Sequence, residues 1–311
     1  MSGEGIFEPR DLQLAKEISN CPLIDLALHD SAHPCNKIVT LQSGDTSNSS
    51  DRQRPEPWMG NLGNSQVLFI SSNPSINDEV IPFRENFPTF SWSLEEAGRF
   101  FTNRIGEHVT FNHSSLPNFI TRSMDGQYRN GLKRPLVPQY TWKKIHDRAV
   151  ELLGVTADPS QNYALTEIVH CKSRDEEGVK QSSTVCVDTW MGKILDLSPA
   201  KVLVIVGGQV RGTLSKAKLG LPETFGAGAN YTRMTTQERS LRDIQLVQDG
   251  ARNRLVLFNY HPAARQFPRK FHVIYGSEVT DWLQKIAIGT LEVPSTGELL
   301  KEEIKKLFVI H

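Results

Sequence analysis

Most residues in this chain that could do chemistry fall in four short polar segments: Ser71-Ser72-Asn73-Pro74-Ser75, a stretch from His170 to Glu177, Gly207-Gly208-Gln209, and a stretch from His261-Pro262 to Gln266. Glu167 stands just ahead of the second. An amide, a carboxyl and an imidazole can between them hold a water, exchange a proton and bond a developing negative charge. Each also has an ordinary structural use: Asn73-Pro74 as an Asx-turn, Glu167 salt-bridged to Lys172 or Arg174, and His261 as a hydrogen-bonded structural histidine. The four cysteines, Cys21, Cys35, Cys171 and Cys186, are expected in an intracellular chain to be reduced, metal-bound or cluster-bound rather than disulfide-paired. Gly207-Gly208 does not make a nucleotide site, because the chain has neither a P-loop nor a G-x-G-x-x-G.

The elements that must carry these segments are legible as apolar runs. Val67 to Ile70, Tyr163 to Val169, Val202 to Val206 and Leu255 to Tyr260 are too short for helices and rich in Val, Ile, Leu and aromatics, so they read as buried parallel strands. Helical patterns over Trp142 to Leu153 and Val187 to Leu197 separate them, with Ile145 and Ala149, then Trp190 and Ile194, on single faces. The expected fold is α/β, a doubly wound, mostly parallel four-stranded sheet sandwiched by helices, with the polar segments at the carboxyl ends of the strands, where such folds bind ligands. One domain is expected over residues 1–311, with an N-terminal extension over 1–60 that includes a polar linker at 43–57, and an insertion at 84–138 rich in Phe and basic residues. Thr296 to Phe308 reads as an amphipathic helix. Lys plus Arg equals Asp plus Glu at 35 each, so net charge points to no polyanionic partner and local clusters must carry any such argument. Neither a signal peptide nor 18 consecutive apolar residues is present, which makes a cytoplasmic, non-membrane protein the expectation.

VLFISSNPSINDEVIPF resembles the first catalytic motif of the uracil-DNA glycosylase superfamily, G-x-N-P-G in the mismatch-specific and single-strand-selective branches and G-E-x-P-G in the iron–sulfur branch. NYHPAARQ resembles the H-P-S-x-x loop of the same superfamily. Between them, ALTEIVHCKSRDEEGVKQSSTVC is similar to the iron–sulfur branch's T-N-V-V-K-C followed by a second cysteine, with 14 residues between Cys171 and Cys186. The resemblance implies the matching fold and a monofunctional DNA glycosylase that flips a base out of DNA and leaves an abasic site. It implies that Asn73 positions the attacking water, His261 donates to the pyrimidine O2, Phe83 stacks on the flipped base, and Ser71 and Ser72 stand in the base pocket. Ser75 and Arg265 fall at DNA-contacting positions, Arg265 as the wedge or a phosphate contact. Arg269 and Lys270 extend that basic loop, a better candidate for phosphate binding than Lys133, Arg134, Lys143 and Lys144. Ala263 replaces the usual Ser and removes one expected phosphate contact. No cofactor is needed for the chemistry. Four cysteines suit a [4Fe-4S] cluster, but Cys21 and Cys35 are 13 residues apart where the family has C-x2-C, so free buried thiols stand as the other reading.

Glu167 departs furthest from the resemblance, because uracil-removing members place an Asn there. An ionised carboxylate cannot donate to uracil O4, whereas it accepts from the amino group of cytosine, and a protonated one can also donate to N3 of the departing base. The expected target is therefore a modified cytosine, in keeping with defence against phages whose DNA carries such bases. Two other readings remain open at this point: a uracil-removing repair enzyme that tolerates Glu167 through protonation, and a non-catalytic DNA-binding homologue.

Overall fold

The computed structural model describes residues 9–42, 52–74, 87–105, 109–112, 118–121, 140–173, 175–217, 219–226, 233–250, 252–262, 264 and 270–309. The strands, in chain order, are β1 (Trp58–Gly60), β2 (Val67–Ser71), β3 (Val109–Asn112), β4 (Asn118–Thr121), β5 (Tyr163–Glu167), β6 (Val202–Val206), β7 (Ile244–Asp249) and β8 (Arg252–Asn259). Six of them form one sheet in the order β1-β5-β2-β6-β8-β7, and β3 pairs with β4 in a separate hairpin. The central four, β5, β2, β6 and β8, are parallel, while β1 and β7 are antiparallel edges.

The four expected strands thus form the core of the sheet, but the sheet has six strands and is mixed rather than four-stranded. The edges escaped the sequence pattern for physical reasons. β1 is only Trp-Met-Gly, and β7 reads Ile-Gln-Leu-Val-Gln-Asp, with two of its six residues buried and neither an apolar run nor a strict alternation to mark it. Every residue of β2, β5 and β6 is buried, as expected of parallel strands covered on both faces.

The helices are α1 (Arg10–Ser19), α2 (Leu23–His29), α3 (Asn36–Gln42), α4 (Leu94–Thr102), α5 (Tyr140–Leu153), α6 (Val179–Cys186), α7 (Gly192–Leu197), α8 (Gly208–Ala217), α9 (Thr236–Asp243), α10 (Phe271–Tyr275), α11 (Ser277–Ala287) and α12 (Gly297–Leu307). A widened π-helical stretch, Val187–Met191, joins α6 to α7, so the helix expected from Val187 runs back to Val179. The chain leaves β2 for β5 on one side, then crosses to β6 and β8 on the other. Right-handed crossovers therefore put α5 on one face and α6, α7 and α8 on the opposite one. The reversal of strand order falls between β2 and β6, which is where doubly wound sheets open a crevice at their carboxyl ends.

The N-terminal helices belong to this body: α1 packs on α4 and α7. Of the expected polar linker, residues 43–51 lie outside the described residues. Residues 52–57 do not behave as a linker, since Arg54 and Glu56 are buried and Gln53 bridges to Thr89. Arg54 satisfies itself by donating to the carbonyls of Thr89, Ser19 and Trp92, which ties α1 to the segment ahead of α4. No helix among the described residues is long and apolar enough to cross a membrane.

Candidate active site

The register of the sheet brings the polar segments to one edge. Ser71 lies opposite Glu167, and Val206 opposite Asn259. The ladder then continues past the ends of β2 and β5: Ile168 donates to the Ser71 carbonyl (2.9 Å), Val169 to Ser72 (3.0 Å) and Ser173 to Pro74 (3.1 Å). The first polar segment and the loop after β5 therefore run side by side. Asn73 Nδ2 donates to the Pro74 carbonyl (2.8 Å) and across the loops to Ser173 Oγ (2.9 Å). The backbone N–H of Ser75, from which Oδ1 would accept in an Asx-turn, lies outside the described residues. Both bonds leave from the nitrogen, and among the described residues none is made by Oδ1, an acceptor suited to a water.

Glu167 is almost fully buried, and its Oε2 has no hydrogen-bond partner among the described residues. Of its two expected salt-bridge partners, Arg174 lies outside the described residues and Lys172 turns to another carboxylate. That ammonium lies 3.4 Å from Glu56, which also pairs with Arg104. Burial pulls the Glu56 carboxyl up, but the Arg104 and Lys172 charges outweigh it and hold it below the usual carboxylate range. For Glu167 the balance falls the other way. Burial first, and then the Glu56 charge, push its carboxyl well above the ordinary value, with Arg104 and Lys172 offsetting only part. One buried carboxyl is thus paired and favoured as the anion, while burial favours the protonated form of its neighbour.

Aromatic rings enclose the cations. Lys172 Nζ sits 3.5 Å from the centre of the Phe87 ring, and the Arg104 guanidinium 4.5 Å from Trp142 and 5.7 Å from Phe100. Phe87, Phe100 and Arg104 all come from the 84–138 insertion, which therefore builds a wall of this site. Glu56, Arg104 and Lys172 were not legible as a group: they lie in three distant segments, and only the fold brings them together.

Ser72 is buried and donates to Glu176 Oε1 at 2.5 Å. Glu176 was not singled out from the sequence either, although Asp175-Glu176-Glu177-Gly178 holds a signal in hindsight. Asp175 and Glu176 are both left-handed (φ 52° and 58°), a conformation that non-glycine residues adopt only where the surroundings impose it. His261 follows β8 and is half-buried. Burial draws its imidazole down, and the Glu176 carboxylate draws it partly back. A neutral ring results, able to donate one hydrogen bond.

All four cysteines line one cavity, between α2, α3, the loop after β5 and the helix from Val179 to Met191. Hydrogen-bond donors face the sulfurs: the Leu23 backbone and the Trp190 indole at Cys21, and the His170 backbone at Cys186. Burial and their mutual proximity raise the thiols, Cys35 to about 12. Among the described residues no three His, Cys, Asp or Glu converge on a single metal ion. The residues present fit a [4Fe-4S] group as to ligand type, number and hydrogen-bond donors.

A separate cavity of about 300 Å³ opens beside Pro262, with an apolar floor that includes Phe69 and Val206 and a rim that includes Lys144, Arg148 and Lys270. Asn73 and Glu167 do not line it. Lys143 and Lys144 both reach Asp147 (3.3 and 3.4 Å), which weakens that pair as a phosphate site, whereas Lys270 is exposed at the start of α10. Phe83, Ser75, Arg265 and Arg269 lie outside the described residues, as do Ala263, Lys133 and Arg134. No protein-family model matches this chain, and a search of curated proteins finds no similar sequence.

Proposed function

We propose that this protein is a monofunctional DNA glycosylase of the uracil-DNA glycosylase type, excising a modified cytosine and leaving an abasic site. One observation carries the reading: the carboxyl of Glu167 is buried with its Oε2 left without a hydrogen-bond partner among the described residues, opposite Ser71 and at the same strand-end edge that His261 follows. Burying such a group without a partner costs roughly 1–3 kcal/mol, which a binding site recovers only with its ligand. The Glu167 carbonyl oxygen accepts from the cytosine amino group, and its hydroxyl donates to N3, so that the base departs neutral rather than as an anion. Neutral His261 donates to O2, and Asn73 Oδ1 orients the water. Ser71 and Ser72, small and buried at the base of the site, leave space for a substituent.

A second reading rests on the same proton. A neutral carboxylic acid can also accept from N3–H and donate to O4, so uracil is the alternative substrate. Incubating the protein with duplexes carrying uracil, cytosine, or cytosine with methyl, hydroxymethyl or larger C5 substituents, and weighing the released base, separates the two. Wild type should release a 5-substituted cytosine, and Glu167→Asn should lose that activity by about 10²–10⁴-fold while gaining on uracil. Efficient release of uracil alone by wild type would overturn the cytosine reading.

The DNA partner is part of the proposal, with exposed Lys270 as the residue among those described that would contact a phosphate. Cys21, Cys35, Cys171 and Cys186 would hold the cluster. When bound it would cross-link α2 and α3 to the loop that follows Glu167, a structural contribution rather than a chemical one. A role in defence against DNA with modified bases follows from the substrate, since an enzyme acting on a base absent from the host genome spares that genome.

A further inference from the structure

We propose that Glu176 is the general base of this site, taking the proton from the attacking water, with Ser72 as the hydroxyl that holds it in place. The assignment rests on the glycosylase reading above and adds to it the group that the hydrolysis still lacks. Water oxygen bonds to C1′ of the sugar, the C1′–N1 bond breaks with its electron pair going to the base, and the water gives up one proton. Asn73 can orient that water, but an amide oxygen does not take up a proton at neutral pH. Glu167 already holds a proton and delivers it to N3 of the leaving base. His261 donates at O2. A carboxylate is needed to receive the proton from water, and Glu176 is placed for it. At the end of the cycle Glu176 has gained one proton and Glu167 has lost one, and solvent resets both.

The geometry supports this at several points. Ser72 and Glu176 are 104 residues apart in sequence, yet their side chains meet at 2.5 Å, beside Asn73 at the end of β2. That bond uses Oε1 only, and Oε2 makes no other bond among the described residues. Glu176 is exposed while Ser72 is buried, so the carboxylate stands at the mouth where water arrives. Asp175 and Glu176 are held in the left-handed region, and from there the Glu176 side chain meets the β2 loop at Ser72. The charge also reaches His261 from the opposite strand end. The neighbouring carboxylates are not equivalent: Glu177 is paired with Lys37 at 2.9 Å, and Asp175 is exposed with no bond to the β2 loop among the described residues.

The test is single-turnover base release from the duplex that wild type processes fastest in the panel above, with DNA affinity measured in parallel. Glu176→Gln and Glu176→Ala should each lose about 10²–10⁴-fold in rate with affinity nearly unchanged, and Asp175→Asn should behave as wild type. Glu176→Asp should recover part of the rate, and added formate should restore part of the Glu176→Ala rate, which a purely structural role would not produce. A Glu176→Gln rate within about twofold of wild type overturns the assignment, as does a rate loss matched by an equal loss of affinity. If wild type releases no base from any duplex, the glycosylase reading itself fails, and the two failures are told apart by the wild-type arm.

Discussion

At the scale of single residues, the site turns on two carboxyls that share a neighbourhood and whose proton affinities are pushed in opposite directions. Glu56 has Arg104 and Lys172, and Glu167 has burial and the charge of Glu56. The linkage has a definite sign. The native pKa of Glu167 is raised above its unfolded value of about 4.3, so folding is favoured below that pH and progressively opposed as pH rises towards the native pKa. Glu167→Gln should therefore be more stable than wild type at neutral pH. Its advantage should be small near pH 4, grow by at most about 1.4 kcal/mol per pH unit above that, and level off beyond the native pKa. Thermal unfolding of the two proteins across pH checks this, and a constant difference at every pH would mean that Glu167 is ionised in the native state. The sequence made Glu167 conspicuous, because a lone carboxylate ended a strand otherwise filled by apolar residues and a threonine. It could not show that Lys172, five residues on, turns away to Glu56, since that preference depends on a residue more than 100 positions upstream.

At the scale of elements, the four core strands were legible because each is a short run of β-branched and large apolar residues with a turn signal after it. The edge strands were not, and neither was the join of α6 to α7, where the π-helical stretch breaks the 3.6-residue period that a helix is read by. The turn after β5 depends on a close approach that no periodicity records. Gly178, at φ 80°, starts α6, and a side chain there would stand 2.8 Å from the backbone nitrogen of Ile38 in α3. Gly178→Ala should cost roughly 1–3 kcal/mol, read as a lower midpoint in urea with an unchanged slope. Base release should fall as well, because the same turn carries Glu176. A variant with wild-type stability would show that α3 is free to back away.

At the scale of the whole molecule, the cavity of four cysteines joins the N-terminal helices to the sheet. Two of its cysteines come from the first 35 residues and two from the segment that follows β5. Protein purified without air should carry iron and sulfide with a visible absorbance shoulder. Cys186→Ser should lose that absorbance and about 3 kcal/mol of stability, roughly 5 °C in thermal midpoint for a chain of this size. Iron-free wild type with the same midpoint as the loaded protein would return the cysteines to plain buried thiols. The spacing of Cys171 and Cys186 was readable in advance. The meeting of Cys21 with Cys35 in that cavity was not, because it depends on the fold of α2 and α3.

The insertion that supplies Arg104 carries a consequence for how such a protein can change over time. Because Arg104 is one of two cations that neutralise a carboxylate in the body of the fold, losing residues 84–138 in one step would leave buried Glu56 with Lys172 alone. A lineage that discards the insertion and replaces that glutamate also lowers the affinity of Glu167 for its proton. On the glycosylase reading, the insertion and the base preference set by Glu167 are then coupled through Glu56, and a shortened descendant would be expected to read a different base.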